Sequence, residues 1–411
     1  MSEPSAFVYV ELDGVTHRVG RLWVSTKGRE TATFEYDADW LADPRHFALE
    51  PALPNGPGPY HTLPGRPLFG ALGDSAPDRW GRTLLQRAEA RRSRAERRTQ
   101  RTLREIDYLL GVTDVLRQGA LRFTTAVDGA FLAEMGDSHV PPLVDLPQLL
   151  AASDRVIAHH DSNADLRLLV APGSSLGGAR PKASVRDVDG TLLVAKFSSP
   201  SDEIHIVRWE AVALTLARRA GIELPGWRLT KSASHDVLLL RRFDRRATTR
   251  VPYLSAMSLL DAGEGDRRSY VDIAEALRRY GAAPRADLPM LWRRLAFNIL
   301  VSNLDDHLRN HGVLYEAPGW RLAPAYDLNP VPLEVKPRVL STSVDIDGDD
   351  SASLELALAA AAHFGLRPNQ ARSIAEEVGR AVRRWRSTAK KLAIPSGELD
   401  RMASAFDSQI V

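Results

Sequence analysis

The sequence predicts an α+β protein with a small β-rich domain at its N-terminus and a larger body that ends in an α-rich lobe. Residues 7–36 alternate between apolar and polar types and are rich in Val, Tyr, Thr and Phe, which is typical of a small antiparallel sheet. Residues 354–364 and 368–392 are amphipathic with a helical period. A chain of 411 residues also exceeds what one hydrophobic core usually serves. We therefore expect an N-terminal domain over residues 1–140, a small lobe over 141–245 and an α-rich large lobe over 246–411.

The composition narrows the classes of function. The chain has 54 basic and 52 acidic residues, and this balance does not by itself indicate a nucleic-acid-binding protein. No apolar run reaches the ~18 residues of a membrane span, and the N-terminus lacks the apolar core of a signal peptide. With Cys 0, the chain has neither disulfides nor thiolate metal sites, which fits a reducing compartment. We expect a cytoplasmic protein that has no membrane partner.

Within the N-terminal domain, Asp13-Gly14 predicts a hairpin, and the Pro/Gly-rich stretch 51–67 leads into a loop and then a helix. Ten arginines lie between Arg79 and Arg104. They could contact a phosphate backbone or an acidic partner, although a solvated helix face is the favoured interpretation. The segment Thr102–Glu105 has the pattern of a capping box at the start of a new helix, and Asp137–Pro147 has the composition of a linker.

After this linker, a segment of small residues, Gly173–Lys182, could let backbone amides approach a phosphate closely, although such segments are more often plain flexible loops. It is not a Walker loop, because no Gly-Lys-Ser/Thr sequence closes it. A strand pair follows and ends in Leu192–Phe197, an apolar strand that carries Lys196. Lys196 could extend its amine to the surface, or a phosphate and a carboxylate could hold it.

The candidate carboxylate is Glu210, on a helix predicted over residues 204–220. Glu210 shares a helical stripe with Ala213, Leu214 and Ala217, so we expect it to face inward. A buried carboxylate without a partner would cost several kcal/mol, which favours a cation opposite it, and Lys196 is the nearest candidate. The strand over 237–245 would then connect the two lobes.

The most informative pattern is Asp305, followed five residues later by Asn310 and, after a short predicted hairpin, by Asp327. Protein kinases use this spacing: the first Asp orients the attacking hydroxyl, while the Asn and the later Asp hold magnesium. A helix predicted over 288–302 would deliver Asp305, and a hairpin of residues 312–315 and 320–322 would bring Asn310 and Asp327 onto one metal.

Two features of ordinary kinases are missing from this pattern, namely the His-Arg-Asp triplet and the Gly after the second Asp. An Asx-rich loop that caps the preceding helix is therefore the alternative interpretation. His307 could touch phosphate, but a structural hydrogen bond is the favoured role.

Taken in order, these segments resemble the HipA family of serine/threonine kinase toxins from bacterial toxin-antitoxin systems. The resemblance covers nearly the whole chain and rests on five motifs: 68–70 with 74–82, 175–182, 242–245, 305–310 and 326–327. It implies a two-lobed protein-kinase-like body. It also implies roles for individual residues: a catalytic Asp305, magnesium ligands Asn310 and Asp327, an autophosphorylated Ser175, and nucleotide-binding residues Lys196, Glu210, Arg241, Phe243, Lys182, Gly177, Gly178 and His307. Arg241 replaces an acidic residue often found in this family before the Arg-Phe-Asp-Arg run, but the resemblance implies that this position contacts adenine through its backbone.

The resemblance further implies an ATP- and Mg²⁺-dependent kinase that phosphorylates a protein such as an aminoacyl-tRNA synthetase. Its expected partners are a helix-turn-helix antitoxin of HipB type and, through that complex, operator DNA. Two other functions use the same residues: a small-molecule phosphotransferase, and a regulatory pseudokinase that binds antitoxin and DNA.

Overall fold

The computed structural model describes residues 4–25, 28–132, 140–173, 180–199, 202–233 and 235–407. The chain divides into two compact units. Unit 1 comprises residues 1–200 with 231–254, and unit 2 comprises residues 201–230 with 255–411. The three domain boundaries expected from the sequence stay predictions.

The described residues form fourteen strands and fifteen α-helices. The strands are β1 (Ser5–Leu12), β2 (Val15–Ser25), β3 (Thr31–Tyr36), β4 (Pro59–His61), β5 (Leu121–Thr124), β6 (Lys182–Arg186), β7 (Leu192–Phe197), β8 (Trp227–Ser232), β9 (His235–Arg241), β10 (Arg245–Arg246), β11 (Thr249–Arg250), β12 (Tyr253–Ser255), β13 (Gly312–Glu316) and β14 (Gly319–Leu322). The helices are α1 (Ala38–Ala42), α2 (Gly70–Asp74), α3 (Arg79–Ala95), α4 (Glu105–Leu110), α5 (Leu146–Ile157), α6 (Asn163–Gly173), α7 (Ile206–Arg219), α8 (Ala256–Leu259), α9 (Tyr270–Tyr280), α10 (Pro284–Leu300), α11 (Leu354–Ala359), α12 (Pro368–Val382), α13 (Trp385–Lys391), α14 (Ser396–Arg401) and α15 (Ala403–Asp407).

The predicted N-terminal sheet is present as five antiparallel strands in the order β4-β3-β2-β1-β5. Asp13 and Gly14 both have positive φ, 51° and 81°, where they join β1 to β2. Two such residues match the right-handed twist of the strands, so the hairpin predicted from this dipeptide is confirmed.

A second sheet in unit 1 pairs β6, β7 and β9 antiparallel. One of its faces packs into a core with α3, α5 and α6, to which Trp80, Leu84, Leu149 and Leu169 contribute. The indole of Trp80 also donates a hydrogen bond to the carbonyl of Lys182 at 3.1 Å. Helix α3 of the N-terminal region therefore shares one core with the sheet that carries both lysines of interest.

Ion pairs engage most of the arginines between Arg79 and Arg104. Six of the ten pair with carboxylates, and two of these, Arg87 and Arg91, converge on Asp161. Among these six, Arg82, Arg87 and Arg91 are partly buried, whereas Arg98, Arg101 and Arg104 are exposed, as the interpretation of a solvated face expects. In the part of the chain that the structure describes, Arg79, Arg92, Arg94 and Arg97 have no such partner.

Two local predictions in this region need correction. The capping box expected at Thr102 and Glu105 is wrong: α4 starts at Glu105 and Asp107 accepts the backbone N–H of Arg104 at 2.9 Å. Glu105 is held instead by the two terminal guanidinium nitrogens of Arg82, at 2.5 and 2.6 Å. The linker prediction is wrong beyond residue 142, because a 3-10 turn at Leu143–Asp145 runs directly into α5.

Unit 2 is built around α10, which runs from Pro284 to Leu300 and has almost all of its residues buried along its C-terminal half. Its first turn anchors the β13–β14 hairpin, because Asp287 binds Arg321 at 2.9 and 3.0 Å and accepts the N–H of Leu322 at 3.2 Å. A side chain at Gly319 would lie 2.6 Å from the carbonyl of Tyr280, so only glycine allows the hairpin this close to the end of α9.

Candidate functional site

The loop after α10 carries the first two residues of the predicted constellation. Asp305 is exposed, and Asn310 closes a 3-10 turn over Leu308–Asn310. The side-chain amide of Asn310 donates a hydrogen bond to the backbone carbonyl of Asp305 at 2.7 Å. The five-residue spacing therefore holds the Asn310 side chain directly against the residue that bears the candidate base.

The predicted hairpin after this loop is present, with Val313 opposite Leu322 and Glu316 opposite Gly319. It returns the chain to Tyr326, whose hydroxyl donates to the carbonyl of Arg309 at 2.7 Å. This hydrogen bond joins the residue just before Asp327 to the residue just before Asn310.

Asp327 itself has an unusual backbone conformation. Its φ of 58° lies in the left-handed region, which an Asp adopts at a cost that its surroundings must offset. The side-chain amide of Asn329 donates to Asp327 Oδ1 at 3.1 Å. One carboxylate oxygen is thus oriented by a neighbour two residues away.

Oxygen ligands suit a magnesium ion, and Asn310 and Asp327 supply an amide and a carboxylate. The side-chain nitrogen of Asn310 donates to Asp305, so the side-chain oxygen Oδ1 is the atom that can bind magnesium. No group of three or more His, Cys, Asp or Glu side chains suited to a metal occurs within the ranges that the structure describes. The two residues therefore fit a metal that also takes oxygens from phosphate and water.

A buried acidic residue, Asp306, lies directly beside Asp305, and the sequence did not single it out. Its side chain accepts from the hydroxyl of Tyr270 at 2.8 Å and from the N–H of Ser341 at 2.8 Å. Burial raises the pKa of Asp306 to about 6, although these hydrogen bonds favour the charged form. Burial also lowers the pKa of His311 to about 4, so this imidazole is neutral at pH 7 and contacts the carbonyl of Asp306 at 3.0 Å.

His307 differs from His311. Its side chain is exposed, and this side chain makes no hydrogen bond or ion pair with a described residue. The structural hydrogen bond that we favoured for His307 is made by His311 instead. The sequence signal for the burial of His311 is its position directly before the apolar strand that begins at Gly312.

In unit 1, Lys182 and Lys196 lie directly opposite each other in the β6–β7 pair. Directly opposite residues share one face of a sheet, and the alternate residues Ala183 and Ala195 lie in the core on the other face. Lys182 is 3% exposed and binds Asp78 Oδ2 at 3.0 Å. Burial raises the pKa of Asp78, and the attraction of Lys182 offsets only part of this effect.

Glu210 is buried on α7, as its position in the apolar stripe predicted. Lys196 belongs to unit 1 and Glu210 to unit 2, and their pairing stays a prediction. Ser175, Gly177 and Gly178 lie outside the described residues.

Arg241 is exposed at the end of β9, and the half-buried ring of Phe243 lies 6.2 Å from the ring of Tyr253. The charged residues around Phe243 have a structural role that the sequence did not reveal. Asp244 binds Arg242 at 2.5 and 2.9 Å and accepts the backbone N–H of Gly119 at 2.8 Å.

This cluster ties the strand end to the N-terminal region. Arg242 also donates to the carbonyls of Leu116 and Arg117, at 2.6 and 3.0 Å. Burial alone would raise the pKa of Asp244, but Arg242 and Arg245 outweigh it and hold that pKa well below its usual range. The ion pairs of Asp244 with Arg242 and Arg245 thus hold the backbone on both sides of Phe243.

Family comparisons agree with this arrangement of motifs. The family model for the HipA-like C-terminal domain matches residues 174–385, which is 212 of 411 residues. The chain belongs to the HipA family. A model for the HipA N-terminal domain matches residues 10–106, so both parts of the family's architecture are present.

Two relatives extend this result. A curated protein of Sinorhizobium fredii, named "Putative kinase Y4mE", is 24% identical over 411 aligned positions that cover 90% of this chain and 91% of that protein. Among solved structures, HipA of Shewanella oneidensis, in a complex with HipB and its operator DNA, matches with a TM-score of 0.65 and 16% identity. That match covers 97% of this chain and 94% of the Shewanella chain, and it shows that this protein has the HipA fold.

None of the helices within the described ranges is both long enough and apolar enough to cross a membrane.

Proposed function

We propose that this HipA-family protein is a kinase that transfers the γ-phosphoryl group of ATP to a serine or threonine hydroxyl of a protein. The observation that carries the proposal is a pair of hydrogen bonds, one within the 305–310 loop and one that joins this loop to the residue before Asp327. Asn310 binds the carbonyl of Asp305 at 2.7 Å, and Tyr326 binds the carbonyl of Arg309 at 2.7 Å. A phosphoryl-transfer site needs this kind of preorganisation because its catalysis is largely positioning and electrostatics.

Asp305 is assigned the role of base. Its carboxylate is exposed to an incoming hydroxyl, while its backbone carbonyl is held by Asn310. We propose that the carboxylate orients the hydroxyl group and accepts its proton as the oxygen attacks phosphorus. Magnesium, held by Asn310 and Asp327, would neutralise charge on the phosphate oxygens.

The nucleotide-binding roles that we propose follow the motifs of the sequence. Lys196 is assigned to the phosphates, with Glu210 as its carboxylate partner, and Lys182 lies opposite Lys196 on the same face of the sheet. Phe243 would line the base pocket beside the backbone of Arg241, and His307 is exposed on the loop next to Asp305. Gly177 and Gly178 would let backbone amides approach the phosphates.

We further propose that Ser175 is a site of autophosphorylation. A phosphate there would add a charge of roughly −1.5 to −2 to a segment that ends just before Lys182. That charge would compete with the phosphates of ATP for the same amides and for Lys182. Modification of Ser175 would therefore turn the kinase off.

The biological role proposed is that of a toxin in a toxin-antitoxin pair. The support comes from the family and from the Shewanella relative, which was solved with HipB and operator DNA. We propose a helix-turn-helix antitoxin as the direct partner, operator DNA as a partner through that complex, and a translation protein such as an aminoacyl-tRNA synthetase as the substrate.

A labelling experiment separates this function from its alternatives. The purified protein is incubated with γ-labelled ATP, Mg²⁺ and an extract that contains both proteins and metabolites. Label on protein serine or threonine supports the proposal. Label on a metabolite indicates a small-molecule phosphotransferase, and the absence of Mg²⁺-dependent transfer indicates a pseudokinase.

A further inference from the structure

The side chain of Asp306 points into the interior of unit 2, away from the exposed Asp305, and is 1% exposed. Its oxygens accept hydrogen bonds from donors in two separate segments. The hydroxyl of Tyr270, on the first turn of α9, binds Oδ2 at 2.8 Å, and the N–H groups of Ser341 and Thr342 bind Oδ1 at 2.8 and 3.4 Å. Its backbone carbonyl accepts from Thr342 Oγ1 at 2.8 Å.

Asp306 therefore joins the loop that carries Asp305 to both α9 and the 341–342 segment. No ion pair is formed by Asp306 with a described residue, so neutral donors alone satisfy it. Such a buried carboxylate is unfavourable unless its hydrogen bonds are complete, and a completed network fixes one geometry.

A second set of hydrogen bonds continues from Tyr270 through buried asparagines. The hydroxyl of Tyr270 accepts from Asn298 Nδ2 at 2.9 Å. Asn298 Oδ1 accepts from Asn303 Nδ2 at 3.1 Å, and Asn303 Oδ1 accepts the N–H of Asn329 at 3.1 Å. Asn298 and Asn303 are each at most 3% exposed, so water does not compete for these bonds.

Asn329, the last residue of this hydrogen-bond path, contacts the proposed metal ligand Asp327. Asn329 donates its side-chain amide to Asp327 Oδ1 at 3.1 Å. A continuous path of hydrogen bonds therefore runs from Asp306, through the Tyr270 hydroxyl and three asparagines, to Asp327.

We propose that Asp306 and Tyr270 are positioning residues for phosphoryl transfer, and that the Tyr270 hydroxyl couples the base-bearing loop to the metal ligand Asp327. This inference rests on the proposed kinase function. At one end of the path, Asp306 directly follows Asp305 in the sequence. At the other end, Asn329 orients a carboxylate oxygen of Asp327. The hydroxyl stands between them, because it donates to Asp306 and accepts from Asn298.

Loss of this hydroxyl would break the link between Asp306 and Asn298 while it keeps the aromatic ring. Residues that orient metal ligands typically change metal affinity or activity by about 10- to 100-fold when they are replaced. A purely structural role for Tyr270 would lower the amount of folded protein without changing the metal dependence of the folded fraction.

The test compares Tyr270→Phe and Asp306→Asn with Tyr280→Phe, a control at the other end of α9 whose hydroxyl makes no hydrogen bond with a described residue. We expect the first two variants to lose about 10- to 100-fold in kcat, with a KM for ATP that changes less. The Mg²⁺ concentration for half-maximal rate should rise by about tenfold. Tyr280→Phe should match the parent in all three quantities.

Amide hydrogen exchange gives a second readout that does not depend on activity. In Tyr270→Phe, amides in segments 304–311 and 325–329 should exchange at least about tenfold faster than in the parent, because the path between Asp306 and Asn298 is broken. Unchanged exchange in these segments would overturn the inference, whether or not the protein is a kinase. Parent-like kcat and Mg²⁺ dependence in both variants would also overturn it, whereas an inactive parent would contradict the proposed function instead.

Discussion

Lys182 lies directly opposite Lys196 across the β6–β7 pair, and Asp78 binds the buried amine of Lys182 at 3.0 Å. Like charges in directly opposite positions repel each other, and Asp78 offsets the charge of Lys182. Asp78, which directly precedes α3, thus lowers the net positive charge beside Lys196, the proposed nucleotide lysine.

The first prediction follows from this buried pair. Asp78→Asn removes the Asp78 counter-charge from the buried ammonium of Lys182, and breaking such a pair typically costs about 3–5 kcal/mol of unfolding free energy. Because the double variant Asp78→Asn with Lys182→Met removes both charges of this pair, it should recover a large part of the loss. Urea unfolding measures both values.

Glu96→Gln is the matched control for this measurement, because the Arg98–Glu96 pair is solvent-exposed and such pairs contribute about 0–1 kcal/mol. If Asp78→Asn lowered the unfolding free energy no more than Glu96→Gln, the buried Asp78–Lys182 pair would not stabilise the fold.

The second prediction concerns the proposed nucleotide lysine. Lys196→Met should weaken ATP binding by about 10- to 100-fold, because a hydrogen bond to a charged group contributes roughly 1.5–3 kcal/mol. Glu210→Gln should weaken ATP binding less, since it removes only the proposed partner of that lysine. Isothermal titration calorimetry measures both, with the exposed Lys231→Met as the control. ATP affinity equal to that of the parent in Lys196→Met would mean that this residue does not bind the nucleotide.

The third prediction concerns Ser175. After incubation with ATP and Mg²⁺, mass spectrometry should find phosphate on Ser175, and Ser175→Asp should fail to bind ATP because its charge competes with the nucleotide phosphates. Ser174→Ala is the matched control and should still be phosphorylated and active. An unmodified parent together with an active Ser175→Asp would exclude self-inactivation at this residue.

The fourth prediction follows from the raised pKa of Asp306. The folded protein takes up this proton near pH 6 and the unfolded chain near 3.8, so the stability that the carboxyl contributes is present below about pH 4 and is lost as the pH rises through 6. Asp306→Asn lacks this contribution at every pH. The substitution should therefore cost more stability at pH 4 than at pH 7, by about 2–3 kcal/mol.

Urea unfolding of Asp306→Asn and of the parent at several pH values tests this difference. Asp400→Asn, an exposed change on α14, should show no such pH-dependent difference from the parent. A difference between Asp306→Asn and the parent that stays constant from pH 4 to pH 7 would contradict the raised pKa.

Features with a local sequence signal could be predicted. Asp13 and Gly14 favour positive φ by their own chemistry, and the periodicity around Glu210 was enough to predict its burial. The hairpin between Asn310 and Asp327 was also evident from two short apolar runs separated by a turn.

Features that depend on distant partners could not be predicted. Glu105 has the local pattern of a capping residue, but Arg82, 23 positions earlier, binds it instead. Asp78 and Lys182 are 104 residues apart, and nothing near either residue indicates the other. Asp306 stands among charged residues in the sequence, and its burial becomes evident only when Tyr270 and Ser341 are brought to it by the fold.

The most direct test of the central claim is the rate of phosphoryl transfer from γ-labelled ATP by purified Asp305→Ala and Asp327→Ala. Removing a positioned base or a metal ligand typically costs on the order of 10² or more in rate, so both variants should be nearly inactive while their circular dichroism matches that of the parent. Asp400→Asn should label protein at the parental rate. Near-parental labelling by either Asp305→Ala or Asp327→Ala would contradict the assignment of this site.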